Sequence, residues 1–286
     1  MNIILYVIIF IMGTVFGSFL TLATYRIPLN KDITHERSFC PNCNHRLGFW
    51  DLIPLFSYVF LGGKCRYCKK KISPRYFIIE LSCGLSFLLL AFILKIDIYT
   101  LDVYDVTNFI IGVLYIVFIF LIAGIDLEHG LIDGRILIYG MIIALINILY
   151  QYFTYKNLYQ TFSFARIVYY LIALIIICII NIKKINKKAN YYLSLMIVCI
   201  IMNLFVQEIF TFLTIIFTLL IIAFKLLINK IVNKGEKYEK KMPIAFYLVL
   251  ANQLTLLIAF FYSLVWYEKK RKRYFTSWLY HCLNYI

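Results

Sequence analysis

Charge is what this sequence has least of. Of 286 residues only 15% are Asp, Glu, Lys or Arg, against 63% hydrophobic, and the mean hydropathy is +0.84. Apolar runs of that extent exceed what one soluble core can bury, which excludes a soluble domain and implies a polytopic membrane protein. Nor is a cleavable leader expected. The first run, 3–22, has no basic start and no small-x-small site before Tyr25-Arg26, so it reads as a retained first span. The strict alternation of barrel strands is absent, and lipid offers no partners for open backbone groups, which leaves helices. Nor is there a glycine-rich strand-to-helix turn of the kind many soluble methyltransferases use for their cofactor, so composition alone implies no S-adenosylmethionine site.

What is present is a series of stretches of about 20 apolar residues. They lie near 3–22, 76–95, 108–125, 134–151, 165–182, 190–204, 208–229 and 244–267, the sixth being short. The expected fold is therefore all-α, a polytopic membrane protein of about eight transmembrane helices with a small cytoplasmic zinc-binding loop. The segments are a first helix (1–22), a cysteine-rich loop (23–75), a helical domain (76–267) and a basic, aromatic tail (268–286).

Orientation follows from the basic residues of the short loops. Loop 23–75 has ten Lys/Arg against three acids, 183–188 reads KKINKK, and 229–243 has five Lys against two Glu. Segment 96–107 carries Asp97, Asp102 and Asp105 and no Lys or Arg. The basic loops are therefore placed in the cytoplasm and the N-terminus outside. The tail EKKRKR (268–273) runs against this count, because an eighth span would put it outside. The net charge of +15 is accounted for by lysines that anchor span ends on anionic membrane lipid, and no nucleic-acid partner is implied. A transporter is disfavoured because the spans carry few paired charges.

Eight cysteines occur. Cys83, Cys178 and Cys199 fall within spans and Cys282 in the tail, where they read as small buried hydrophobes or bystanders. The other four form Cys40-x-x-Cys43 and Cys65-x-x-Cys68, separated by 21 residues. Two tight loops, each turning two thiolates toward one point, complete a tetrahedral shell for a structural Zn²⁺, with no position left for a catalytic water. In the reducing cytosol structural disulfides are disfavoured, and Lys64, Arg66 and Lys69–Lys71 favour thiolates electrostatically. Reduced unliganded thiols and a redox switch are the alternatives.

Around this loop the residues resemble the prepilin leader peptidases with attached N-methyltransferase activity. The resemblance runs through GTVFGSFLTLATYRIP (13–28) and SFCPNCNHRLGFWDLIPLFSYVFLGGKCRYCKKKISPRYFIIEL (38–81). It continues more weakly through AGIDLEHGLIDGR (123–135) and KMPIAFYLVLA (241–251). It implies a multi-pass aspartic-type endopeptidase of the bacterial inner membrane that removes the leader of type IV prepilins or pseudopilins on the cytoplasmic side. It further implies methylation of the new N-terminus with S-adenosylmethionine, with the cysteine loop as the zinc region associated with that step. No subunit number is readable.

Proteolysis by carboxylates needs two of them sharing one proton, one ionised to activate water and one protonated to polarise the carbonyl. Asp126, in GIDLEHGLIDGR, matches the family's first catalytic aspartate, although the usual Ile-Pro-Asp that follows is here Leu131-Ile132-Asp133. On its own, the pair Asp126 and Glu128 reads as a solvated helix end. The Gly-x-Gly-Asp motif expected for the second aspartate is missing. Lys187–Asn190 stands in its place, with Asn190 at the aspartate position and Tyr192 where a lysine is expected. Asp133 lies seven residues on from Asp126, about 10 Å along a helix and too far to share a proton. Glu208 falls on the outer side, and Glu80 is associated with the cysteine loop. Two readings stay open: an active processor with a displaced second acid, and a degenerate relative that binds prepilins as a scaffold or retains methylation only. Asp126, Glu128 and Asp133 are the local acidic counterweight to a basic leader.

Overall fold

The computed structural model describes residues 2–33, 37–154, 163–182, 187–205, 208–232 and 243–270. Among them the long elements are all helices: α1 (Asn2–Arg26), α3 (Arg75–Ile93), α4 (Val103–His129), α5 (Gly134–Thr154), α6 (Ser163–Ile182), α7 (Lys187–Phe205), α8 (Glu208–Val232) and α9 (Ile244–Lys270). A five-residue helix α2 (Phe56–Phe60) and two 3-10 turns, Ile27–Leu29 and Phe49–Asp51, lie in the loop between α1 and α3. Each of the eight expected spans falls on a helix. Five of these are long and apolar enough to cross a membrane: Asn2–Leu29, Arg75–Ile93, Val103–His129, Gly134–Thr154 and Phe210–Ile228. Three shorter apolar stretches, Ile167–Ile179, Ala189–Phe205 and Ile244–Ile258, accompany them. Most of loop 229–243 and the tail beyond 270, including His281 and Cys282, lie outside the described residues.

The chain divides into two compact units, Met1–Phe109 and Ile110–Ile286. In the first, α1 and α3 pack closely because small residues face each other. A Cβ at Gly13 would stand 2.8 Å from the Gly84 Cα, and one at Gly17 2.8 Å from the Glu80 Cα. Contact of 13 with 84 and of 17 with 80 makes the two helices antiparallel, the small-xxx-small arrangement that lets helix backbones approach within lipid. Pro28 limits α1, since the ring removes a donor. The 3-10 turn after it closes on Asn30, whose φ is 53°. α3 stops where Lys95 turns left-handed (φ 53°) and the Ile96 N–H bonds back to the Ala91 carbonyl at 3.0 Å, the 6→1 closure of a Schellman end. The Tyr6 hydroxyl donates to the Ile96 carbonyl at 2.9 Å and fixes the far end of the pair. Gly17→Leu should therefore destabilise the first unit by about 1–3 kcal/mol, because the obstruction is backbone and cannot rotate away. A lowered melting temperature in detergent, with Ile8→Leu on the exposed face as control, is the measurement.

In the second unit, polar groups join the helices. The Asn147 amide donates to the Leu204 carbonyl (3.3 Å), Gln151 donates to Asn147 (3.2 Å), Tyr115 donates to Asn252 (3.4 Å), and Thr214 and Thr255 share a bond of 3.1 Å. Each of these would be costly to leave open in an apolar surround. The Phe118 ring fills the space beside Gly140 where any side chain would stand.

Candidate functional site

The two Cys-x-x-Cys segments fold as near copies of each other. In the first, the Cys40 N–H bonds to the His45 carbonyl (3.0 Å) and the Asn44 N–H to the Cys40 carbonyl (2.8 Å). In the second, the Cys65 N–H bonds to the Lys70 carbonyl (2.9 Å) and the Lys69 N–H to the Cys65 carbonyl (3.0 Å). The fourth residue after each leading cysteine turns left-handed, Asn44 at φ 53° and Lys69 at φ 59°. That bend swings the two sulfurs of each pair toward one centre. All four Sγ atoms lie within 4.8 Å of one another, and Cys40 and Cys68 are 3.9 Å apart. Zn–S bonds of about 2.3 Å in a tetrahedron put sulfurs about 3.8 Å apart. The four cysteines thus fit a closed tetrahedral metal site with only a slight contraction.

Burial works against ionising Cys40, but N–H groups of Asn42 and Cys43 and its sulfur neighbours outweigh it and bring the thiol down to about 7. At Cys43 the His45 N–H favours the thiolate, yet desolvation and the facing sulfurs of Cys40 and Cys68 prevail and push it up to about 11. One thiolate forms readily and discourages the next, which is the electrostatic problem a dication resolves.

Asp51 ties the two segments together. It accepts from the Gly48 N–H (3.1 Å), from Arg66 Nε (2.6 Å) and from the Tyr67 hydroxyl (3.2 Å). Arg66, expected from the sequence to favour thiolates, is engaged here instead. Burial opposes ionisation of Asp51, but these donors hold its carboxyl below the usual carboxylate range. A lowered value means that its contribution is whole above the ordinary value near 3.9 and is lost as pH falls through the folded value. Asp51→Ala should loosen the loop by about 1 kcal/mol, since Arg66 is half exposed. Faster amide exchange at 40–68 near neutral pH, with the difference from wild type vanishing in acid, is the expected reading.

In the second unit, Asp126 is 1% exposed. The α4 helix does not stop at residue 125 as its sequence suggests, but runs one turn further and ends at Gly130 (φ 61°), so Asp126 lies within the helix. Its Oδ1 accepts from the Tyr191 hydroxyl at 2.9 Å, and its Oδ2 from the Phe246 N–H at 3.1 Å. The Tyr191 oxygen in turn accepts from the N–H groups of Ile244 (3.1 Å) and Ala245 (3.4 Å). Residues 244–246 are the first turn of α9, whose N–H groups have no partner within their own helix. The Asp126 carboxyl and the Tyr191 phenol, on two other helices, satisfy three of them.

The residue that faces Asp126 from α7 is therefore Tyr191. Asn190, aligned with the family's second aspartate, is exposed. Along α7, Tyr191, Ser194, Ile197, Val198, Ile201, Met202 and Phe205 are buried, while Lys187, Ala189 and Asn190 of the first turn are exposed. Helical period alone does not separate the two positions, because Tyr191 lies seven and eleven residues before Val198 and Met202 and Asn190 lies the same distances before Ile197 and Ile201. Asp133 is occupied elsewhere. It receives the Arg135 N–H at 2.9 Å as the cap of α5, and pairs with the Arg135 guanidinium at 2.7 Å. Glu128 lies 3.7 Å from His129. Glu80 holds the loop, as expected, accepting the Leu55 N–H at 2.8 Å.

Residues 11–94 match the Bacterial Peptidase A24 N-terminal domain. Across half of its length or less, the chain is similar to members of the prepilin leader peptidase/N-methyltransferase family. A family member from Vibrio cholerae is 36% identical over 138 residues, 45% of this chain and 51% of the relative. One from Bacillus subtilis is 34% identical over 134 residues, 46% of this chain and 50% of the relative. One from Myxococcus xanthus is 43% identical over 81 residues, 28% of this chain and 24% of the relative. The chain thus spans at most about half the length of these peptidase/methyltransferases. No solved structure matches it.

Proposed function

We propose that this chain handles type IV prepilins or pseudopilins at the cytoplasmic face of the bacterial inner membrane, as a leader peptidase with Asp126 as its catalytic carboxylate. Eight helices cross the bilayer, the four-cysteine loop lies in the cytoplasm and carries structural Zn²⁺, and the prepilin helix packs laterally against the spans. The observation that carries this reading is the buried carboxylate of Asp126 near the end of a membrane-crossing helix, in a chain similar to this family. Methylation of the cleaved N-terminus with S-adenosylmethionine belongs to the same proposal, and its support is the family name of the relatives.

A second reading is favoured by Tyr191. A phenol with an ordinary pKa near 10 cannot share a proton with a carboxylate as a second carboxyl does. On this reading the Asp126 cluster closes the start of α9, and the protein binds prepilins without cutting them or only methylates them. Co-expression with a cognate prepilin, followed by intact mass of its N-terminus for wild type and Asp126→Asn, separates the two. Loss of a leader that disappears in the variant supports the peptidase, and a further methyl mass supports methylation. An uncut precursor that still co-purifies with the protein supports the scaffold.

A further inference from the structure

The loop between α1 and α3 carries a patch that the metal site does not use. Phe49, Trp50, Leu52, Phe56, Val59 and Phe60 are exposed, Trp50 by 72% and Phe60 by 82%. They are not scattered. Phe56 and Phe60 stack at 6.2 Å along one face of α2, with Val59 beside them, and Phe49 meets Trp50 edge-on at 5.7 Å. The other side of α2 is committed to the protein, where Tyr58 lies 5.4 Å from Phe77 of α3 and its hydroxyl donates to the Ile72 carbonyl. Such a concentration of exposed aromatic surface marks an interaction site.

Its position says what covers it. Because α1 and α3 are antiparallel, the end of α1 and the start of α3 lie at the same end of the pair, and both helices are long and apolar enough to cross a membrane. The loop is rooted at that boundary. It also folds back along α3: the Leu55 N–H binds Glu80, five residues into the helix, and Tyr58 meets Phe77, two residues in. α2 therefore lies beside the first two turns of a membrane span, at the depth of about 5–10 Å that interfacial helices occupy. Exposed Lys64, Lys69, Lys70 and Lys71 of the same loop supply the charge complementary to anionic headgroups, and Trp with aromatic neighbours is what favours the headgroup level.

We infer that the cysteine loop is a membrane-interface anchor: α2 and the Phe49–Trp50 turn insert into the anionic leaflet, and the metal-bound segments hold them there. This holds whether or not the protein cuts prepilins.

Full-length protein is reconstituted in phosphatidylglycerol/phosphatidylcholine bilayers with bromine on the acyl chains, and the Trp50 signal is taken as the difference between wild type and Trp50→Phe. Quenching of that signal by shallow bromines, with protection from aqueous iodide, is the result expected. Iodide quenching with no effect of lipid bromine overturns the inference. So does a Trp50 that becomes shielded only when prepilin is added, since the patch would then be a protein docking surface. As a second measurement, the paired charge reversal of Lys69 and Lys70 to Glu should weaken Trp50 quenching more in bilayers with phosphatidylglycerol than without. An equal effect in both would remove the role of anionic lipid.

Discussion

Cys65→Ala should abolish stoichiometric zinc binding and unfold the loop that follows α1, while Cys83→Ala should leave both intact. The two cysteines are equally buried, at 3% and 0% exposed, so the contrast isolates ligation from packing. Cys65 belongs to a four-sulfur cluster within 4.8 Å, whereas Cys83 is a small apolar residue against α1 near Gly17. Structural zinc contributes on the order of 10–16 kcal/mol to small zinc modules near neutral pH. Loss of one of four ligands removes most of that and leaves three crowded thiols that repel as they ionise. Beside the metal, the loop is held by two like turns, the Asp51 cluster, the Glu80 contact with Leu55 and the contacts of Tyr58 with Ile72 and Phe77. Metal content by mass spectrometry and limited proteolysis between residues 38 and 73 read the two outcomes. A Cys65→Ala protein that keeps zinc and resists protease would remove the metal from the account of this loop.

The sequence made some of this visible and hid the rest for definite reasons. Helix positions were legible because lipid demands long apolar runs, and each expected span coincides with a helix. The cysteine site was legible because ligand spacing is local: each pair needs only a tight turn, and the two turns proved to be copies down to the left-handed Asn44 and Lys69. Asp126 could be found by resemblance, but its partner could not. Its environment is assembled from α4, α7 and α9, and the donors from α9 are backbone groups with no signature in the side chains. Alignment on the basic segment before α7 gave the position of Asn190, and the apolar period of α7 admits 190 and 191 equally, so only the packed structure separates them. Asp126 reads as the end of an apolar run, yet its carboxylate is satisfied within the protein, so the helix continues past it to Gly130.

Asp126 and Tyr191 should behave as one unit. Tyr191→Phe removes a donor from Asp126 and an acceptor from two N–H groups of α9, and should cost about 1–3 kcal/mol. Asp126→Ala strands the Tyr191 hydroxyl and the Phe246 N–H, for about 2–4 kcal/mol. The double variant should cost less than the two together by about 1 kcal/mol or more, since each single change already breaks the shared bond. Strict additivity in melting experiments would mean that the two side chains are merely neighbours. Asp126→Asn keeps the volume and one acceptor, so it should disturb stability less than alanine while reducing leader cleavage by at least about 100-fold, the scale of a lost acid–base group. The separation of the two effects is what makes the variant informative. If asparagine and alanine reduce cleavage only in proportion to how far each destabilises the protein, Asp126 acts on the start of α9 and not on the peptide bond.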